Sequence, residues 1–144
     1  MNATVIVCST LTNHVKAAQK KMNTNYPIIE LDNSKHSRPE KFWQLAFLAM
    51  EQLPEEIDTV LLGMGVCGGA SVGWTFQRRT IMPKVDDCIT LLMHTDEKFH
   101  YNLKEVGHFY LTENRDLMSI EQMEQDLVFK VWRKKSQKSY ESLV

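Results

Sequence analysis

No stretch of this 144-residue chain approaches the roughly 18 consecutive apolar residues that a membrane-spanning helix needs. Dense runs of positive charge are missing as well. Lys and Arg number 17 against 18 Asp and Glu, a net charge of −1, so nothing builds a groove that tracks phosphates. The closest approach, Arg133-Lys134-Lys135, suits the C-terminal end of a helix dipole. These absences argue against membrane and nucleic-acid partners and leave a small molecule, a metal or another protein.

Cysteine is scarce and odd in number: Cys8, Cys67 and Cys88. Met1 to Cys8 run directly into a β-branched segment, which leaves no room for a secretory signal. A cytoplasmic location is therefore expected. Thiols there serve as metal ligands, catalytic groups or small buried hydrophobes rather than as a disulfide framework. No repeat, linker or low-complexity segment interrupts the chain, and no His-x-Glu pair occurs in it.

What is present reads as one α/β domain over residues 1–144. Its 43% hydrophobic and 24% charged content is ordinary for a globular protein with a substantial core. Eight methionines point to a soft, adaptable interior. Ala3 to Cys8 suits a strand buried on both faces. Ser9 or Thr10 can cap a helix from Leu11 to Met22, with Val15, Ala18 and Met22 on one face. Tyr26 to Leu31 reads as a second strand. Ser37-Arg38-Pro39-Glu40 is a capping box opening a helix to Leu53, with Phe42, Leu45, Ala46, Ala49 and Met50 inward. Asp58 to Leu62 is a third strand, a glycine-rich turn follows, and Ala70 to Arg79 reads as a helix. Thr80 to Val85 is a fourth strand. Asp86 and Asp87 are placed to cap a helix from Cys88 to Met93. Asp96 to Glu105 suits a helix, His108 to Thr112 a fifth strand, and a capping box at Ser119 opens a last helix carrying Ile120 to Trp132. Alternating strands and helices imply a three-layer, Rossmann-like domain with a mainly parallel sheet of four or five strands.

On this reading the cysteines occupy equivalent places: Cys8 ends the first strand, Cys67 follows the third and Cys88 follows the fourth. In a parallel sheet these positions share the carboxyl edge, where ligands bind. Three converging thiolates would form a soft metal site (Cys8, Cys67, Cys88) for zinc or iron. Cys88, in the first turn of a helix, would carry extra thiolate character.

Cys67 also permits another chemistry. Gly65-Val66-Cys67-Gly68-Gly69 has the form of a nucleophile elbow with cysteine in place of serine, similar to class I glutamine amidotransferases and dienelactone-type hydrolases. Such a nucleophile needs a histidine base and an orienting acid. His94-Thr95-Asp96 and His108 are the nearest substitutes. Gly63-x-Gly65-x-x-Gly68 also fits a dinucleotide fingerprint, with Asp86 or Asp87 as the acidic partner. Candidate cofactor-binding positions are therefore Gly63, Gly65, Gly68, Gly69 and Asp87. Arg78 and Arg79, at the end of the expected helix, are placed to meet an anion or solvent.

Two stretches together carry a resemblance. Leu62-Gly63-Met64-Gly65-Val66-Cys67-Gly68-Gly69 and Ile81-Met82-Pro83-Lys84-Val85-Asp86-Asp87-Cys88-Ile89-Thr90-Leu91-Leu92 are similar to the cysteine motifs of the domain of unknown function family 1638, whose opening strand also ends in cysteine. The resemblance runs from Val5 to Thr112. Asp86 stands where that family usually has His, and Lys84 where it has Arg. The resemblance implies a setting in methanogens and anaerobic bacteria, beside corrinoid-dependent methyl transfer. The first expectation is thus a metal- or cofactor-binding protein with a cysteine-lined site, acting in anaerobic one-carbon metabolism. One alternative is a hydrolase or amidotransferase-like enzyme using Cys67 as nucleophile. The other is a non-catalytic accessory subunit of a methyltransferase system, docking through its last helix.

Overall fold

Four short strands lie side by side in the order β2-β1-β3-β4, all parallel. This is a computed structural model, and it describes residues 1–32, 38–69, 71–94, 98–108 and 110. β1 (Ala3–Cys8) and β3 (Thr59–Gly63) are central; β2 (Ile28–Leu31) and β4 (Arg79–Ile81) form the edges. All six residues of β1 are buried, as a β-branched strand covered on both faces requires. The two edges carry exposed positions at Glu30, Arg79 and Ile81. The domain is α/β with helices flanking a parallel sheet, a Rossmann-like arrangement, and Met1–Tyr110 form one compact unit.

Register fixes the carboxyl edge. Val7 of β1 pairs with Gly63 of β3, and Cys8 pairs with Leu31 of β2. The chain leaves β1 through a single 3-10 turn at Ser9–Leu11 and enters α1 (Thr12–Met22). Neither Ser9 nor Thr10 caps this helix; Leu11 takes the cap position with no side-chain bond. The buried face also differs from expectation. Val15 and Gln19 are half-buried, while Ala18 and Met22 face outward. Gln19 explains the choice, because its amide grips Tyr26 from both sides, donating to the carbonyl at 3.1 Å and accepting from the N–H at 2.5 Å. That clamp sets the return into β2.

α2 (Pro39–Glu51) starts with proline in its first turn, as expected, and closes before Pro54. Ser37, the first residue of the expected capping box, lies outside the described residues. Phe42, Trp43, Ala46 and Met50 are buried on this helix, whereas Leu45 is exposed. Trp43 rather than Leu45 faces inward, and its indole N–H donates to the Val66 carbonyl at 3.1 Å. A buried Trp needs a partner for that N–H, and the turn after β3 supplies it. Full burial of such a side chain contributes roughly 1.5–3 kcal/mol.

The segment after β3 corrects the sequence reading most strongly. No helix forms over the described residues 71–79; the chain makes turns and then enters β4 at Arg79. Cys67, Gly68, Gly69 and Gly73 all have positive φ, which right-handed helix cannot accommodate. Arg78 therefore ends no helix. Its guanidinium donates to the carbonyls of Leu53 and Pro54, each at 2.8 Å, and to that of Ile57. It ties this segment to the end of α2 rather than meeting an anion. Arg79 opens β4, which ends at Ile81 rather than at Val85.

α3 (Cys88–Met93) forms where expected, capped by Asp87. The expected helix over 96–105 does not form in its described part, 98–105. Tyr101 and Asn102 are held elsewhere: Asp86 N–H donates to the Tyr101 carbonyl at 2.7 Å, and Asn102 Oδ1 accepts from Lys104 N–H at 2.9 Å. His108 and Tyr110 are not in a strand. The rest of the expected fifth strand, the helix carrying Ile120 to Trp132, and Arg133-Lys134-Lys135 lie outside the described residues. Among the described residues no helix is long and apolar enough to cross a membrane.

Candidate functional site

The turn after β3 and the turn before α3 run side by side beyond the ends of their strands. Val66 N–H donates to the Val85 carbonyl at 2.9 Å and Cys67 N–H to the Asp86 carbonyl at 2.8 Å. Gly65 makes that approach possible. A Cβ there would stand 2.4 Å from Asp87 Cα and 2.7 Å from its backbone N and C. Only glycine lets two backbones touch in this way. Gly63 pairs with Val7 at the end of β3, and Gly68 packs beside Pro39 at the start of α2.

Cys67 follows in the left-handed region at φ 48°, an uncommon conformation for a residue with a side chain. Gly68 and Gly69 continue at 84° and 73°. Three successive left-handed residues reverse the chain sharply and leave the Cys67 side chain half-buried. Cys8 and Cys88 are enclosed, at 0% and 3% exposure. None of the three forms a disulfide.

The three thiols meet at Cys88. Cys67 first and Cys8 second, both neighbours of its sulfur, together with burial, push its pKa well above the ordinary thiol value. The lowered pKa expected from its place in the first turn of α3 is thus overturned. With only six residues, α3 offers a weak dipole, and the neighbouring thiols plus desolvation outweigh it. Cys8 also donates to Thr10 Oγ1 at 3.4 Å. Adjacency of β1 and β3 supplies one pair of elements, and the stacked turns supply the other. Among the described residues, no group of three or more His, Cys, Asp or Glu is placed so that it could hold a metal ion.

Asp87 has a different role from a ligand's. Its Oδ1 accepts from Thr90 N–H at 2.9 Å, closing the first turn of α3, and its Oδ2 accepts from Lys104 Nζ. Lys104 also reaches Asp86 at 3.0 Å. Burial pushes the Asp87 carboxyl up, but the hydrogen bonds from Lys104 and Thr90 outweigh it and hold it below the usual value. Burial works against the Lys104 ammonium too, yet the pair of carboxylates raises its pKa. Lys104 was not singled out by its sequence context; its signal is tertiary, because 17 residues separate it from Asp87.

Two other readings lose support from the geometry. A dinucleotide cradle needs a helix N-terminus directly after its glycines, and none forms over the described residues 71–79. His94, the nearest candidate base, has both ring nitrogens engaged near its own segment. Nδ1 lies 2.8 Å from the Thr90 carbonyl, and Nε2 accepts from His100 N–H at 3.1 Å. His108 is exposed beside Glu105, at 3.8 Å. A cavity of about 270 Å³ between α2 and residues 76–78 is lined by Phe47, Met50, Glu51, Phe76, Gln77 and Arg78, and includes no cysteine.

Fold and site together define a Rossmann-like α/β domain with three thiols gathered at the carboxyl edge of its sheet. The chain belongs to the family described as "Protein of unknown function (DUF1638)", whose model matches residues 30–143. That span takes in Cys67 and Cys88, begins after Cys8, and continues well past Thr112. No curated protein and no solved structure matches the chain.

Proposed function

We propose that this protein binds a zinc or iron ion through Cys8, Cys67 and Cys88, and acts with it in anaerobic one-carbon metabolism. One observation carries the reading: two thiols from separate strand ends, Cys8 and Cys67, both lie near enough to Cys88 to act on its ionisation. The donor set suits a soft or borderline metal, and the half-buried Cys67 lies on the accessible side. A bound ion would supply Lewis acidity toward a thiol or a methyl-bearing substrate. The chain's own part is to hold three sulfurs in a largely dry pocket and to give up their protons as the ion enters. Because thiols bind a metal as thiolates, affinity rises with pH through the neutral range. In this reading the protein works in the cytoplasm, where thiols remain reduced.

Bound metal and sulfide per chain, measured on protein prepared without oxygen, test the reading. Stoichiometric metal in the wild type that disappears in Cys67→Ser supports it. A fully reduced wild type that binds neither zinc nor iron overturns it.

The left-handed Cys67 favours a second reading, in which this residue is a covalent nucleophile. Strained backbone at a turn is a frequent property of nucleophile elbows. Under that reading Cys67 alone labels rapidly with iodoacetamide at neutral pH, and Cys8→Ser leaves the rate unchanged.

A further inference from the structure

We propose that Cys67 and Cys88 are a peroxide-sensitive dithiol, which oxidises to an intramolecular disulfide and withdraws two sulfurs from the site. The effect on metal binding rests on the function proposed above; the disulfide itself does not.

The geometry supplies the parts of such a pair. Cys67 is half-buried, so a molecule the size of hydrogen peroxide reaches it before the enclosed Cys8 and Cys88. Cys88 lies beside it, two residues past the Asp86 carbonyl that accepts from Cys67 N–H and one past the Asp87 backbone that Gly65 meets. The backbone holds both ends of the pair, through Cys67 N–H on the Asp86 carbonyl at 2.8 Å and Gly65 pressed against Asp87. A resolving thiol held close by has a high effective concentration.

The chemistry balances with peroxide as the oxidant. The Cys67 sulfur attacks one peroxide oxygen, the O–O bond breaks, and hydroxide leaves with the Cys67 proton as water. Cys67 is then a sulfenic acid. The Cys88 sulfur attacks the Cys67 sulfur, the S–O bond breaks, and that hydroxyl leaves with the Cys88 proton as a second water. Two electrons pass from the two thiols to the peroxide, and Cys8 keeps its thiol.

Reduced, metal-free full-length protein is treated with hydrogen peroxide, then denatured and alkylated, and its peptides are weighed. Alkylatable thiols should fall from three per chain to one, with a Cys67–Cys88 cross-linked peptide that dithiothreitol reverses. Cys88→Ser, with Cys88→Ala as the variant that keeps the position apolar, should lose the cross-link and carry Cys67 on to sulfinic acid. Three alkylatable thiols after treatment, a cross-link to Cys8, or sulfinic acid forming in the wild type as fast as in the Cys88 variants would each overturn the inference. The same sample separates the two proposals. A reduced protein that takes up no zinc or iron yet forms the cross-link refutes the metal reading and supports the dithiol.

Discussion

The turn from Asp86 to Thr90 carries its own closing contacts, whereas the turn from Gly63 to Gly69 takes its main contacts from distant parts of the chain. In the first, Asp87 Oδ1 accepts from Thr90 N–H three residues on, and the Asp87 carbonyl accepts from Leu91 N–H. In the second, Val66 and Cys67 are held by the carbonyls of Val85 and Asp86, and Val66 in turn accepts from Trp43. Both turns deliver a cysteine to the same place. One turn folds from local chemistry, and the other exists only when the sheet, α2 and the second turn are assembled. The site should therefore fail from its non-local side first.

The largest effect is expected where the two turns touch. Gly65→Ala places a methyl 2.4 Å from Asp87 Cα, and backbone on both sides has little room to yield. A loss of about 3 kcal/mol or more in urea unfolding is expected, at the upper end for overpacking. A midpoint equal to the wild type's would show that the turns separate easily, and the comparison would collapse.

Trp43→Phe comes next. It leaves the Val66 carbonyl without its indole donor and opens space in the core, costing about 2 kcal/mol. Cys67 labelling with iodoacetamide should accelerate in this variant, because the turn loses a support. An unchanged labelling rate would assign Trp43 to the core alone.

Arg78→Met removes three hydrogen bonds to Leu53, Pro54 and Ile57 while keeping the stem's bulk. About 1–2 kcal/mol should be lost, since those carbonyls lie close enough to solvent to recover water in part. Denaturant titration would expose the contrary case, in which the segment between β3 and β4 is held by its aromatic contacts. Trp74 sits edge-on to Phe47 at 5.2 Å and to Trp43 at 6.4 Å.

The smallest effect belongs to the self-contained turn. Asp87→Ala removes a cap and should cost about 1 kcal/mol. Its pH dependence sharpens the contrast. The Asp87 carboxyl is held below its unfolded value, so its contribution is complete above the ordinary pKa of about 3.9 and fades as pH falls through the folded value. Asp87→Asn keeps an acceptor but does not titrate. Wild-type stability should therefore fall more steeply than the variant's below about pH 4, and parallel curves would mean that Lys104 and Thr90 do not bias this carboxyl.

The same division explains what could be read from the chain beforehand. The Asp87 cap and the start of α3 were legible because acceptor and donor stand three residues apart. The β-branched run of β1 and the proline opening α2 were legible for similar local reasons. The helix expected over 70–79 does not form, and local residues explain why: Gly68 and Gly69 just before it and Gly73 within it adopt positive φ, and Val72 and Thr75 are poor helix formers. The inward faces of α1 and α2 were misread in part. Gln19 turns inward for a pair of hydrogen bonds with Tyr26 and Trp43 for one to Val66, which no periodicity announces. Lys104 was invisible for the same reason.

By itself the sequence determined an alternating α/β chain, a glycine turn after the third strand, an aspartate-capped helix, and three cysteines at strand ends. Those features depend on backbone preferences and on contacts spanning a few residues. Tertiary structure alone decided that β1 lies beside β3, that Gly65 meets Asp87, and that Cys8 and Cys67 both reach Cys88. Strand order and the packing of one turn on another are set by burial summed over the whole core, and no short stretch carries that sum.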